Sequence, residues 1–242
     1  MKILGHRGIN QPENSDLPYQ NTIEAFQYAL SKGADGVELD VMLSNDGKCF
    51  VIHDNDISKH GTEAGFISQM NSDEIRKKSV GKNRKYNIPA LTDVFILLKG
   101  KNKLINIDIK QKEIAEKVLM EVLNSGIPIK DFLISSFDHH DLFKVRGLNK
   151  DIKVGLLFGR ESREDKNFER QILELAERLK PAVFNMEKSL PYLAVLDNKI
   201  DKFIWTIKKE DLTNYQVEGL MLYESINFIT DYPEELLRRL KK

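Results

Sequence analysis

The feature that most restricts the fold is a repeating beat. From Lys103 onward, short apolar runs alternate with amphipathic ones to the end of the chain. Strands are predicted at Lys103–Lys110, Phe132–Phe137, Lys153–Phe158, Ala182–Met186, Phe203–Ile207 and Gly219–Tyr223. Helices are predicted at Ile114–Asn124, Asp138–Leu148, Phe168–Leu179, Leu190–Leu196, Asp211–Val217 and Pro233–Leu240. The helical runs repeat apolar residues at the spacing of one helix face, and the strands are short and rich in Val, Ile, Leu and Phe. Two earlier strands begin near Lys2 and Val37, separated by a helix over Ile23–Lys32 that Thr22 caps and Gly33 ends. Eight strands separated mostly by helices predict a (β/α)8 barrel, with an open doubly wound sheet as the alternative. A chain of 242 residues suits one such barrel, so residues 1–242 are expected to form a single domain.

One stretch departs from the beat. In Gly36–Asp54, Val37, Leu39 and Val41 alternate with Glu38 and Asp40, which places both carboxylates on one strand face. Asp46-Gly47 is a strong two-residue hairpin signal, and Cys49–His53 reads as the returning strand. With that turn Asn45 faces Lys48, and Asp40 falls opposite His53, which gathers Glu38, Asp40 and His53. A hairpin with an idle, solvated face would look similar. The surrounding Val/Leu/Ile-rich segments argue instead for buried acids, which need a compensating cation or donors. Residues 54–90 are polar and irregular, with a short helix starting at Ser72-Asp73-Glu74. They are expected to lie over one end of the fold as an insertion after the second strand, and the helix Leu91–Lys99 follows.

Charge narrows the partners. Lys+Arg and Asp+Glu balance at 37 each, so no global field draws nucleic acid or an anionic membrane. Cys49 is the lone cysteine, which excludes an intrachain disulfide and suits a reducing compartment. The N-terminus runs straight into a strand without a signal-like apolar region, and no run approaches the length of a membrane span. A cytoplasmic protein with no stable membrane insertion and a small-molecule substrate is expected.

In a barrel of this class, functional groups collect at the C-terminal ends of the strands. Those ends carry His6 and Arg7, Glu38 and Asp40, Asp108 and Lys110, Ser135, Ser136 and Phe137, Asn185 and Glu187, and Trp205, with His53 joining from the hairpin. Glu38, Asp40 and Asp108 cannot all stay ionised at one point without a cation. All-oxygen ligands select one hard divalent ion, Mg²⁺ or Ca²⁺. With two histidines, an arginine and a lysine nearby, the substrate that fits is a phosphate ester. Arg7 and Lys110 would bind it, with Arg7 stabilising charge on the phosphoryl oxygens. His6 and His53 would share general base and general acid work. Phe137 and Trp205 would form an apolar wall for the rest of the substrate, or pack the barrel.

The motifs GHRG, PEN, NTIEAF, GADGVELDV, the Asp-Gly turn, VIHD, INIDIK, ISSFDH, VGLL, WTI and ITDYP occur in this order. In that order the chain resembles glycerophosphodiester phosphodiesterases over nearly its whole length. The resemblance implies a TIM barrel that uses a divalent metal to hydrolyse glycerophosphodiesters to glycerol 3-phosphate and an alcohol. It implies that His6 and His53 are the acid/base pair and that Glu38, Asp40 and Asp108 hold the metal. Two departures stand out. Asp108 replaces the family's usual Glu. The family's PENT run is split between Pro12-Glu13-Asn14 and Asn21-Thr22, so either Glu13 or Gln20 takes the place of the motif glutamate. Two other readings remain: a lysophospholipase D-like enzyme, which needs an apolar entrance, and a catalytically silent barrel that only binds a phosphodiester.

Overall fold

The computed structural model describes residues 1–10, 16–61, 64–159, 167–180, 182–190, 200–213, 219–220 and 223–240. Eight strands among them close into a parallel barrel: β1 (Ile3–Gly5), β2 (Gly36–Leu43), β6 (Leu104–Ile109), β7 (Phe132–Ser136), β8 (Lys153–Phe158), β9 (Ala182–Glu187), β10 (Lys202–Ile207) and β11 (Ile226–Thr230). The β1–β2 pairing, with Leu4 beside Gly36, completes the ring. The short β3 (Cys49–Val51) runs antiparallel on the outer end of β2. Helices α1 (Ile23–Ser31), α3 (Leu91–Leu98), α4 (Ala115–Asn124), α5 (His139–Leu148), α6 (Phe168–Leu179) and α7 (Pro233–Leu240) follow the strands. None of the helices among the described residues is long and apolar enough to cross a membrane.

Side-chain alternation sorts the strands into two faces. Val37, Leu39, Val41, Ile105, Ile107 and Ile109 point outward and are buried in the main core with the helices. Inside the barrel, Leu4, Leu104, Leu133, Val183, Phe203 and Ile229 pack into an apolar floor. The polar residues of the same strands therefore stack above that floor, at the C-terminal mouth.

Among the described residues of 54–90 are three 3₁₀ turns, a one-turn helix α2 (Ser72–Ile75) and a two-stranded ribbon of β4 (Ser79–Val80) and β5 (Tyr86–Asn87). The segment is polar in composition but builds its own apolar cluster. Ile57, Ile67, Ile75, Val80 and Ile88 bury against Met42, Phe50 and Ile52, each side chain contributing about 1.5–3 kcal/mol. Its apolar residues thus anchor it to the hairpin.

Three expectations are corrected. The hairpin loop has three residues, Asn45-Asp46-Gly47. Ser44 N–H donates to Lys48 O at 2.9 Å, and Gly47 takes the left-handed conformation at φ +76°. This longer loop shifts the register by one residue, so Leu43 pairs with Cys49 and Val41 with Val51. Ile52 N–H donates to Asp40 O, so Ile52 rather than His53 stands across from Asp40, and the returning strand ends at Val51. The last strand is Ile226–Thr230, not Gly219–Tyr223; Gly219 and Leu220 are helical. Asn227 interrupts the apolar run of the true strand. It is tolerated because its side chain accepts from Lys2 N–H (2.7 Å) and donates to Lys202 O (3.2 Å). Finally, Asp211 lies in a 3₁₀ turn, Glu210–Thr213, while 214–217 and the expected helix at 191–196 fall outside the described residues.

Candidate active site

β1 ends in Gly5-His6-Arg7-Gly8, a turn that Gly8 makes possible. Its φ is +74°, and a Cβ there would lie 2.6 Å from the Ala25 carbonyl carbon of α1. Arg7 is also left-handed, at φ +53°, a conformation that costs a non-glycine residue roughly 1–2 kcal/mol. Two backbone contacts hold it: Arg7 N–H donates to Glu38 Oε2 at 2.9 Å, and Arg7 O accepts from Asn21 N–H at 2.9 Å. The guanidinium sits with Nε 3.0 Å from Asp40 Oδ2 and donates to Gln20 Oε1 at 2.7 Å. Gln20 is thus the residue found beside Arg7, and Glu13 lies outside the described residues. His6 pairs through Nδ1 with Asp231 Oδ1 at 2.7 Å. Burial pushes the His6 pKa down despite that carboxylate.

β2 and β6 pair in parallel with Glu38 beside Asn106 and Asp40 beside Asp108. That register brings one carboxylate oxygen each of Glu38, Asp40 and Asp108 within 4.8 Å of one another, and all three residues are buried. Lys110 Nζ lies 3.1 Å from Asp40 Oδ1 and 2.5 Å from Asp108 Oδ2. Asn21 donates to Asp40 Oδ2 at 2.7 Å. Burial raises Glu38 well above the ordinary range, reinforced by repulsion from Asp40 and Asp108. Burial also pushes Asp108 up, to about 7, against the pull of Lys110. For Asp40 burial acts the same way, but Lys110 and Arg7 outweigh it and hold the carboxyl below its usual range. The same acids overcome burial to raise Lys110. Asp108 Oδ1 is buried without a hydrogen-bond partner among the described residues. An all-oxygen triad with two raised carboxyls, Glu38 and Asp108, and a free acceptor on Asp108 fits a hard divalent cation.

His53 reaches the same cavity, although the register differs from the expected one. Because β3 stops at Val51, the chain turns after Ile52 and His53 swings over the mouth, where the Asp40 charge acts on its ring. Its Nδ1 is 3.1 Å from Asp54 Oδ2, and burial lowers its pKa. The cavity measures about 210 Å³ and takes in both histidines, Arg7, Lys110 and the acid triad. Its far wall is Phe137, Trp205, Leu157 and Ile229. Phe137 meets Trp205 edge-on at 5.9 Å, and Lys110 Nζ lies 5.6 Å from the centre of the Phe137 ring. Ser135 lines the cavity and donates to Asn106 Oδ1 at 2.7 Å. Ser136 turns away to Ile109 O, Glu187 accepts from Ser189, and Asn185 is buried outside the lining. A larger groove, about 630 Å³, runs outside the barrel between β3, α3 and α4; neither the triad nor a histidine lines it.

Several residues around the site escape sequence reading. Asn21 looks like a helix-leading residue but grips Asp40. Asp231 is hidden by the misplaced last strand; once Ile226–Thr230 is the strand, Asp231 stands at a C-terminal strand end like the other site residues. Tyr19 and His60 come from irregular segments with no periodicity to flag them.

The sequence profile of the glycerophosphoryl diester phosphodiesterase family matches residues 6–235. A glycerophosphodiester phosphodiesterase of Caldanaerobacter subterraneus subsp. tengcongensis is 32% identical over 252 residues, spanning 99% of this chain and 98% of that protein. The crystal structure of a glycerophosphodiester phosphodiesterase from Thermotoga maritima is similar with a TM-score of 0.75 at 29% identity, covering 98% of this chain and 97% of the other. An Oleispira antarctica phosphodiesterase, solved in complex with its product sn-glycerol-3-phosphate, shares the fold with a TM-score of 0.77 at 20% identity, covering 100% and 97%. The fold, the mouth geometry and these likenesses agree, and the chain belongs to the glycerophosphoryl diester phosphodiesterase family.

Proposed function

We propose that this enzyme hydrolyses glycerophosphodiesters to glycerol 3-phosphate and an alcohol, with a divalent cation on Glu38, Asp40 and Asp108 and with His6 and His53 as the acid/base pair. The observation that carries the reading is the convergence of three buried carboxylates, two histidines, Arg7 and Lys110 on one small cavity. Once ionised, as cation binding requires, the three acids outnumber Arg7 and Lys110 and by themselves would leave the cluster net negative, which repels a phosphodiester. A bound Mg²⁺ or Ca²⁺ would reverse that sign and supply positive charge to the phosphoryl oxygens.

The chain's own residues do the rest. Each histidine presents Nδ1 to a carboxylate, Asp231 for His6 and Asp54 for His53, which leaves Nε2 for the cavity. Burial keeps both rings neutral near pH 7, so either can accept a proton. One takes a proton from the attacking water as its oxygen bonds to phosphorus, and the other, protonated from solvent, gives its proton to the alcohol oxygen as the bond from phosphorus to that oxygen breaks. Arg7 and Lys110 bind the phosphate; both are pinned by Asp40 and so need little reorganisation. Phe137 and Trp205 form the wall against which the alcohol portion rests. We assign the activity to the whole chain, 1–242, as one domain. The lone buried Cys49 suits a reducing compartment, and we place the enzyme in the cytoplasm.

The test is release of glycerol 3-phosphate from glycerophosphocholine or glycerophosphoethanolamine in the presence of Mg²⁺ or Ca²⁺. Release that EDTA abolishes and added cation restores supports the reading. No release with any headgroup or cation overturns it. Faster turnover of lysolipid than of the deacylated diester would move the enzyme to the lysophospholipase D class. Binding without turnover would make it a silent barrel.

A further inference from the structure

His53 differs from His6 in what holds its partner. Asp231 is 4% exposed, so little can disturb it. The Asp54 side chain is 28% exposed, and an exposed carboxylate rotates freely unless other donors fix it. Two groups from outside the barrel strands do so here. Lys59 Nζ meets Asp54 Oδ1 at 3.1 Å. His60 Nε2 lies 3.4 Å from Asp54 Oδ2, the same oxygen that His53 Nδ1 contacts.

His60 is 3% exposed and clamped on all sides. It ends a 3₁₀ turn, Ile57–His60, whose Ile57 is anchored in the apolar cluster of the insertion. Its carbonyl accepts from Gly81 N–H at 2.9 Å. Its Nδ1 is 3.0 Å from the Tyr19 hydroxyl, and the two rings meet edge-on at 6.1 Å. Tyr19 in turn lies against Gly81, where a Cβ would come within 2.9 Å of the phenol ring. The hydrogen-bond roles then follow. The Asp54 carboxylate 3.4 Å from Nε2 favours the tautomer with the His60 proton on Nε2, which leaves Nδ1 to accept from the Tyr19 hydroxyl at 3.0 Å. That buried nitrogen makes no hydrogen bond among the described residues, and the Asp54 carboxylate acts on it as an ion-pair contact at 3.4 Å. Asp54, held from that side, takes the Nδ1 proton of His53, and the His53 Nε2 lone pair faces the cavity.

We propose that the insertion carries a positioning relay, Tyr19–His60–Asp54, that fixes the tautomer and orientation of His53. His60 and Tyr19 touch no substrate; they act through Asp54. The relay gives residues 54–90 a task in the reaction beyond covering the barrel end. Its consequence for turnover rests on the part in hydrolysis proposed above for His53, so the experiment reads the relay separately.

In metal-free protein at pH 8, ¹⁵N shifts of the imidazole rings report which nitrogen of His53 carries the proton. Wild type should show His53 protonated on Nδ1. His60→Ala and Tyr19→Phe should give a mixture of tautomers, and His60→Gln, whose amide can accept from Tyr19 and donate to Asp54, should restore the wild-type signal. In the cation-loaded enzyme, His60→Ala should lower kcat about tenfold with KM and cation affinity within about twofold. A His53 ring that stays Nδ1-protonated in both His60→Ala and Tyr19→Phe overturns the relay. Tyr19→Phe removes only a hydroxyl, so it decides the matter alone where His60→Ala does not fold. Mixed tautomers with undiminished turnover would uphold the relay and overturn the part of His53 in hydrolysis.

Discussion

The mouth of this barrel is built in two ways, and its two histidines display the difference. His6 follows β1, and its partner Asp231 follows the adjacent strand β11; the pairing of Gly5 with Thr230 sets the 2.7 Å contact between them. His53 lies beyond the end of β3, and its looser 3.1 Å contact with Asp54 depends on an insertion with its own apolar cluster. One half of the site follows from strand register, the other from a small accessory core. The strand-built half should therefore be intolerant of change, while the insertion-built half should lose function by degrees.

The sharpest break should come at His6. His6→Ala should lower kcat by about 10²–10⁴-fold, the usual loss of a general acid or base, with cation affinity unchanged by calorimetry. Asp231→Asn should cost about 10–100-fold. Asp54→Asn should cost less, about tenfold, because the part-exposed Asp54 holds His53 by a longer contact, 3.1 Å, than the 2.7 Å by which buried Asp231 holds His6. Equal losses at Asp231 and Asp54, in kcat measured under saturating cation, would erase the distinction between the two halves.

The strand-built half was also the legible half. Period-two alternation put Val37, Leu39 and Val41 on one face and Glu38 and Asp40 on the other, and the structure keeps that division. Asp108 and Lys110 followed from the same alternation in β6, and Phe137 and Trp205 meet edge-on in one wall of the cavity. Reading failed where spacing is not periodic. A three-residue loop and a two-residue turn look alike at Asn45-Asp46-Gly47, yet they differ by one register step. His53 reached the site because the strand stopped early, which no pattern announced. Ile226–Thr230 was missed because Asn227 satisfies its amide across two neighbouring chain segments, and that compensation is visible only in three dimensions. Tyr19 and His60 meet through the packing of an irregular segment, for which the sequence offers no period.

Asp108 sharpens the account of the strand-built side through stability. Burial, reinforced by Asp40, outweighs Lys110 and lifts its pKa from an ordinary 3.8 to about 7. Between those values the folded, metal-free protein binds a proton that the unfolded chain does not. Stability therefore falls as pH rises from about 4 to 7, and the full penalty persists above 7. Asp108→Asn removes it. At pH 8 without cation, the variant should melt a few degrees above wild type, on the order of 1–2 kcal/mol. The gap should close as pH falls toward 4. Saturating Mg²⁺ or Ca²⁺ should raise the wild-type Tm and leave the variant almost unmoved. Identical melting at pH 8 would show that the buried acids carry no mutual strain.

The smallest effect should lie at Gly47, and it separates hairpin stability from hairpin function. Gly47 closes the loop at φ +76°, and a Cβ there would meet only Lys117 Cε, at 3.6 Å. Gly47→Ala thus adds backbone strain without a clash, about 1 kcal/mol, seen as a Tm lower by roughly 2–4 °C. Asn tolerates the left-handed region better, so Gly47→Asn should recover most of the loss. Turnover should stay at the wild-type level in both, because the loop lies at the far end of the hairpin from His53, whose place depends on where β3 ends and on what the insertion holds. A Gly47→Ala enzyme that keeps its Tm but loses turnover would mean that the loop sets the His53 position directly, and the insertion-built half would then be no less register-bound than the strands.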